Sequence, residues 1–128
     1  MGWESYNLDQ TAHDLVFKYR NSTEALQQSY KMRSAIAYGL ERFWGEQLRL
    51  GSEKGQIWID TWSKLQDILA KAGIRLPAKN ANPEDLWNFP IQQRKIALAI
   101  LTQLCDSIVW WTQRYKKADS NFDGGNDD

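Results

Sequence analysis

One histidine, His13, and one cysteine, Cys105, bound the chemistry available to this chain. Together they would make a nucleophile and its base if the fold joined them. Cys105, however, lies in the apolar stretch RKIALAILTQLCDSIVWW (94–111), where a low dielectric suppresses the thiolate and cysteine serves as a small hydrophobe. A lone histidine and a lone cysteine fall short of the zinc-binding sets, and one cysteine rules out CxxC motifs and an internal disulfide. Gly51 and Gly55 bracket GSEKG, which lacks the Lys-Ser/Thr ending of a phosphate loop. No catalytic residue, metal ligand or cofactor is therefore expected, and an enzyme is the least supported class.

What remains is charge and aromatic surface. Basic residues gather as Lys31, Arg33 and Arg42, as Arg94 and Lys95, and as Arg114, Lys116 and Lys117. Isolated, such side chains are solvated helix surface, and cations at a helix end also suit its dipole. Set on one side of a bundle, the same groups would form a stripe for a phosphate backbone, weak and salt-sensitive in one copy and adequate when several copies line up. Trp58, Trp62 and Trp111 fall on inward stripes, where core packing outweighs base stacking. Trp110 faces a neighbouring direction beside Arg114, which suits a subunit contact or a nucleic-acid groove.

Sixteen Lys and Arg balance sixteen Asp and Glu, but four of those acids and none of the bases lie in DSNFDGGNDD (119–128). Residues 1–118 thus carry sixteen bases against twelve acids, a mildly basic body, and 119–128 reads as a flexible acidic tail that could shield a basic face. The longest apolar run, Ile96–Leu101, is far shorter than a bilayer span, and MGWESYNLDQ resembles no signal segment, so a cytoplasmic location without membrane contact is expected. Asn21-Ser22-Thr23 matches a glycosylation acceptor that means little without secretion.

The elements that would position these groups are helical. Asp9 is the expected cap of a helix reaching about Arg20, with Ala12, Leu15, Val16 and Tyr19 inward. Residues 23–50 form one long bent helix or two helices meeting near Gly39. GSEKG is expected as a turn, followed by a helix through Ile57, Trp58, Trp62, Leu65 and Leu69 that ends at Gly73. A connection follows, then Asn82-Pro83-Glu84-Asp85 opens a short helix. Beyond Pro90 comes a final helix whose apolar residues cover most of its circumference, the pattern of a helix in the middle of a bundle. No strand alternation or repeat is present, so 1–118 is expected to be one all-α bundle of five to six helices with a long apolar C-terminal helix.

The segment Thr102 to Ala118, with Cys105, Ser107, Ile108, Val109, Trp111, Arg114 and Tyr115, resembles the closing helix of a known family. That family is the small helical subunit of Cmr-type (type III-B) CRISPR effector complexes. A second likeness lies at Ala35-Ile36-Ala37-Tyr38-Gly39-Leu40, where Tyr38 stands in place of the family's Asn before Gly-Leu. The resemblance implies a non-catalytic protein that stacks head to tail with copies of itself, beside other CRISPR effector subunits. It also implies a basic face along the backbone of the guide RNA and target RNA duplex. Carried over by position, Arg114 is the first RNA-side residue, Lys31 and Arg33 follow by proximity to the matched turn, and Lys116 and Lys117 rest on charge alone. A competing expectation is a helical adaptor or inhibitor that binds a protein through Trp110 and the Trp87-Phe89 segment without RNA. A small DNA-binding regulator lacks support, since no polar recognition helix is legible.

Overall fold

The structure is a computed structural model describing residues 7–118, the side chains of Ser52, Lys117 and Ala118 excepted; the acidic segment 119–128 lies outside the described residues. Among them the fold is all-α. The elements are α1 (Leu8–Lys18), α2 (Thr23–Ala35), a 3-10 turn (Ile36–Tyr38), α3 (Leu40–Arg49), α4 (Ser52–Lys71), α5 (Pro83–Trp87) and α6 (Ile91–Ala118). At 1.5 Å per residue α6 is about 42 Å long. Its most extensive partner is α1, with α2 along another flank and α4 touching it as well.

Local chemistry explains the boundaries. Ser22 caps α2, its Oγ accepting from Ala25 N–H at 3.2 Å while donating to Glu53 of α4 at 2.5 Å. Gly39 divides α2 from α3: its φ of 100° is left-handed backbone that a side chain resists, so residues 23–50 are two helices joined through the 3-10 turn. Gly73, at φ 79°, closes α4, with its N–H on Ala70 O and Ile74 N–H on Leu69 O, and buried Ile74 and Leu69 completing the cap. Pro83 opens α5, where the Asp85 carboxylate accepts from Asn82 N–H at 3.1 Å.

Three expectations are corrected. Asp9 is not the cap of α1: Asn7, which tolerates the left-handed φ of 58°, precedes a helix that begins at Leu8. Asp9 sits in the first turn and accepts from Trp111 Nε1 at 3.0 Å. The GSEKG segment is no turn, because α4 already begins at Ser52 and runs through Gly55. A glycine is required there, since a Cβ on Gly55 would collide with the Leu50 carbonyl. Nor is α6 enclosed all round, since Lys95, Ala99, Gln103, Asp106, Trp110 and Arg114 remain exposed along it.

The core is aromatic at its centre, with the Phe43 ring 4.7 Å from Trp58 and 6.2 Å from Trp62. Leu26, Met32, Leu65, Leu69, Leu101 and Leu104 are buried in the same cluster. The connection after α4 is bound to the bundle by four side chains. Gln66, Trp62, Trp44 and Gln47 donate in turn to the carbonyls of Leu76, Pro77, Ala78 and Lys79 at 3.3, 2.8, 3.1 and 3.3 Å. Between α1 and α4, Asp60 accepts from Lys18 Nζ at 2.7 Å, Tyr19 Oη at 2.5 Å and Gln56 Nε2 at 3.0 Å. Burial pushes Asp60 up, but these donors outweigh it and hold the carboxyl below the usual range. Burial, then the Asp60 carboxylate, push the Tyr19 hydroxyl well above the ordinary tyrosine range.

Two measurements test these packing arguments. Gly55→Ala should destabilise the fold by about 1–3 kcal/mol through the forced backbone shift, whereas Gly45→Ala should stabilise it by about 0.5–1 kcal/mol. Gly45 lies within α3 with no atom near its missing Cβ, so urea midpoints moving in the same direction for both variants would refute the account. For Asp60 the folded-state pKa lies below the unfolded one, so its stabilisation is present above the ordinary aspartate range and lost as pH falls through it. The urea midpoint of the natural chain should therefore exceed that of Asp60→Asn at pH 6, and the gap should close as pH drops below about 4.

Candidate nucleic-acid interface

The fold separates the basic residues that sequence groups together. Arg33, half-buried on α2, donates from Nε to Asp106 of α6 at 2.5 Å. Arg94, at 19% side-chain exposure, donates to Glu41 at 2.8 Å and to the Leu86 carbonyl, fastening α6 to α3 and α5. Lys95, next to it, is exposed. Arg114 lies 4.1 Å over the Trp110 ring, and Lys116 Nζ is 5.5 Å from the Tyr30 ring of α2. The side chain of Lys117 is outside the described residues. Twenty residues part Arg94 from Arg114 on one continuous helix, a rotation of about 200° and a rise of about 30 Å. A single stripe along α6 containing both is therefore not formed. Their side chains leave opposite flanks.

Two of the sequence-selected cations do come together. Lys31 of α2 and Arg42 of α3 line a cleft of about 350 Å³, joined by Arg49 at the end of α3 and by Tyr30, Ser34 and Tyr38. Its floor includes Gln28, which accepts from Trp58 Nε1 at 2.9 Å. Tyr38 is 71% exposed, with the Arg42 guanidinium 5.2 Å from its ring centroid. Glu46 is the single acid among the described residues lining the cleft. It receives Arg49 at 2.6 Å and Arg42 at 3.6 Å, and the Arg49 hydrogen bond holds its carboxyl below the usual range. Three cations against one fixed anion leave the cleft positive, with the arginines splayed around Glu46 and still largely in solvent.

The break at Gly39 builds this geometry. An uninterrupted helix would carry Arg42 away from α2, whereas the 3-10 turn and Gly39 redirect α3 and leave Tyr38 at the rim. Arg49 was missed in the sequence, although Arg42, Glu46 and Arg49 recur at i, i+4 and i+7, the spacing of one helix face.

His13 and Cys105 do not form the pair considered from sequence. Cys105 is fully buried, and burial raises its thiol far above the ordinary range. His13 contacts Asp14 through Nδ1 at 3.2 Å and Tyr115 through Nε2 at 2.8 Å. Because a carboxylate only accepts, the contact with Asp14 places a proton on Nδ1. Among the described residues no group of three or more His, Cys, Asp or Glu side chains is arranged to hold a metal ion, and no helix is long and apolar enough to cross a membrane. Trp87, 80% exposed, and Ile91, 65% exposed, line a shallow groove with Phe89, and Trp110 is 47% exposed. Comparison of the chain with protein families, curated proteins and solved structures finds no match.

Arg94 and Lys95 separate structural from surface charge. Arg94→Ala should cost about 1–3 kcal/mol by stranding the Leu86 carbonyl and Glu41, and Lys95→Ala should stay within about 0.5 kcal/mol of the natural chain. Equal urea midpoints for the two variants would show that the α6–α3 link carries no stability.

Proposed function

We propose that this protein is a non-catalytic subunit of a type III CRISPR ribonucleoprotein effector, contacting the backbone of the guide–target RNA duplex without reading its sequence. One observation carries the RNA contact: Lys31, Arg42 and Arg49 converge with the exposed Tyr38 on a cleft that contains a single carboxylate. Cations on long side chains suit phosphates, and contacts to phosphate position a duplex without carrying sequence information. The assignment to that complex rests on the resemblance of Thr102–Ala118 and of the Gly39 turn. The helical architecture is compatible with it. Assembly would use the apolar end at Trp87 and Ile91, since head-to-tail stacking requires two different surfaces and exposed apolar side chains are depleted on faces that meet only water.

A helical protein–protein adaptor is the second reading, favoured by that same Trp87 and Ile91 exposure. Salt dependence discriminates between the two. Backbone binding should weaken steeply between 50 and 200 mM salt, and Lys31→Ala with Arg42→Ala should lower duplex RNA affinity by about tenfold per residue near 0.1 M salt and reduce the slope of log K against log salt by about two. Unchanged affinity and slope in the folded double variant would remove the cleft from the mechanism. Failure of the natural protein to copurify with type III subunits that otherwise assemble on guide RNA would remove the CRISPR assignment.

A further inference from the structure

A second surface, built from residues other than those of the cleft, runs along the seam between α1 and α6. The two helices lie parallel there, as shown by the pairs Asp9 with Trp111 and His13 with Tyr115. Aromatic rings follow one another across the seam. Phe17 stacks on His13 at 5.9 Å and 18°, His13 meets Trp111 edge-on at 4.7 Å, and Trp111 meets Trp110 edge-on at 4.8 Å. Tyr115 closes the row, 6.1 Å from Phe17. At one end the Arg20 guanidinium lies 3.8 Å over Phe17, and at the other Arg114 lies 4.1 Å over Trp110.

Two features set this row apart from an ordinary core cluster. Its terminal rings are open to solvent, Phe17 at 45% and Trp110 at 47%. Its cations are also uncommitted. Lys18, Arg33, Arg42, Arg49 and Arg94 each pair with a carboxylate, whereas among the described residues Arg20 and Arg114 pair with none; Arg20 donates only to the Phe17 carbonyl. The acids nearby are engaged elsewhere, Asp9 by the Trp111 indole and Asp14 by His13 and Gln10.

We propose that this strip is a stacking site for unpaired bases of a single-stranded nucleic acid, with Phe17 and Trp110 as the receiving faces and Arg20 and Arg114 as phosphate contacts at either end. Every base has a π-face, so such a strip accepts any sequence; an incoming base would take the place of the guanidinium on the Phe17 or Trp110 ring, the exposed arginine swinging outward to meet its phosphate. Its length fits roughly two or three bases, the number that other aromatic platforms hold. The carboxylates of Asp9 and Asp14 at the middle of the row keep the strand's backbone toward the arginine ends. Trp110, which sequence alone offered to either a subunit contact or a nucleic-acid groove, belongs here with the groove.

The test uses the full chain and fluorescently labelled oligo(rU), oligo(dT) and a blunt RNA duplex. Phe17→Leu and Trp110→Leu keep the apolar volume but remove the π-face. Each should weaken binding of both single strands about tenfold, Trp110→Phe should retain most of it, and duplex binding should be unchanged. Tighter binding of oligo(rU) than oligo(dT) would identify RNA as the preferred source of the bases, and equal binding would make the site indifferent to the sugar. Arg20→Ala with Arg114→Ala should lower the salt slope for single strands by about two. Folded Leu variants that bind single strands like the natural chain would overturn the proposal. Loss of copurification with partner proteins at unchanged oligonucleotide binding would do so as well, and would make the strip a protein contact. The Lys31 and Arg42 variants give the opposite pattern if the cleft alone binds RNA, so the two proposals fail separately.

Discussion

The fold depends on giving each sequestered indole N–H an acceptor. Trp44, Trp58 and Trp62 are buried and Trp111 is partly buried, and an unpaired indole donor in such surroundings costs on the order of 1–3 kcal/mol. The four resolve this with three parts of the chain. Trp58 reaches Gln28 of α2, Trp62 the Pro77 carbonyl, Trp44 the Ala78 carbonyl and Trp111 the Asp9 carboxylate of α1. The ring volume fills the core, and the single polar atom then dictates which segment must lie beside it. That is how the tryptophan side chains fix the positions of α1, α2 and the connection after α4.

The carbonyls at 76–79 show the constraint from the acceptor's side. An extended segment packed on a bundle cannot satisfy its own backbone, and its carbonyls need donors supplied from outside. Two tryptophans and two glutamines of α3 and α4 provide them in register. The segment is thereby tied to α3 and α4 without being a helix. It delivers Pro83 and α5 to the place where Leu86 and Phe89 close the core and Arg94 can reach the Leu86 carbonyl.

Helix identity was legible wherever periodicity and end signals agreed: Ser22 before α2, Gly73 after α4, Asn82-Pro83 before α5. The failures share a cause. Asp9 and the GSEKG glycines were read by their usual local preferences, but the fold uses Asp9 to accept from an indole roughly a hundred residues away and Gly55 to let a helix pass a carbonyl. Neither demand is local. The same holds for charge. Lys31, Arg33, Arg94 and Arg114 look equivalent in sequence, and only tertiary pairing distinguishes Arg33 and Arg94, which meet Asp106 and Glu41, from Lys31, which meets a cleft. Arg49 escaped notice because no other base lies near it in sequence, and Arg20, although two residues from Lys18, because nothing local sets that pair apart from solvated helix surface.

Carboxylates thus act as the selector of this surface. With sixteen bases against twelve acids, residues 1–118 are only mildly basic, so strong positive character arises where the fold leaves cations without matching anions. Lys18, Arg33 and Arg94 are matched by carboxylates across helices, and Arg42 and Arg49 along α3 by a single shared Glu46 that cannot cancel both. Arg20 and Arg114 are left to stack on rings instead. At both candidate sites a guanidinium lies by an exposed aromatic ring, Arg42 by Tyr38 in the cleft and Arg20 and Arg114 by Phe17 and Trp110 on the seam. A ring offers a cation partial stabilisation without a counter-charge. A polyanion that arrives at either place meets charge that is oriented but not neutralised, which is the condition for salt-sensitive association with phosphate rather than for a closed internal ion pair.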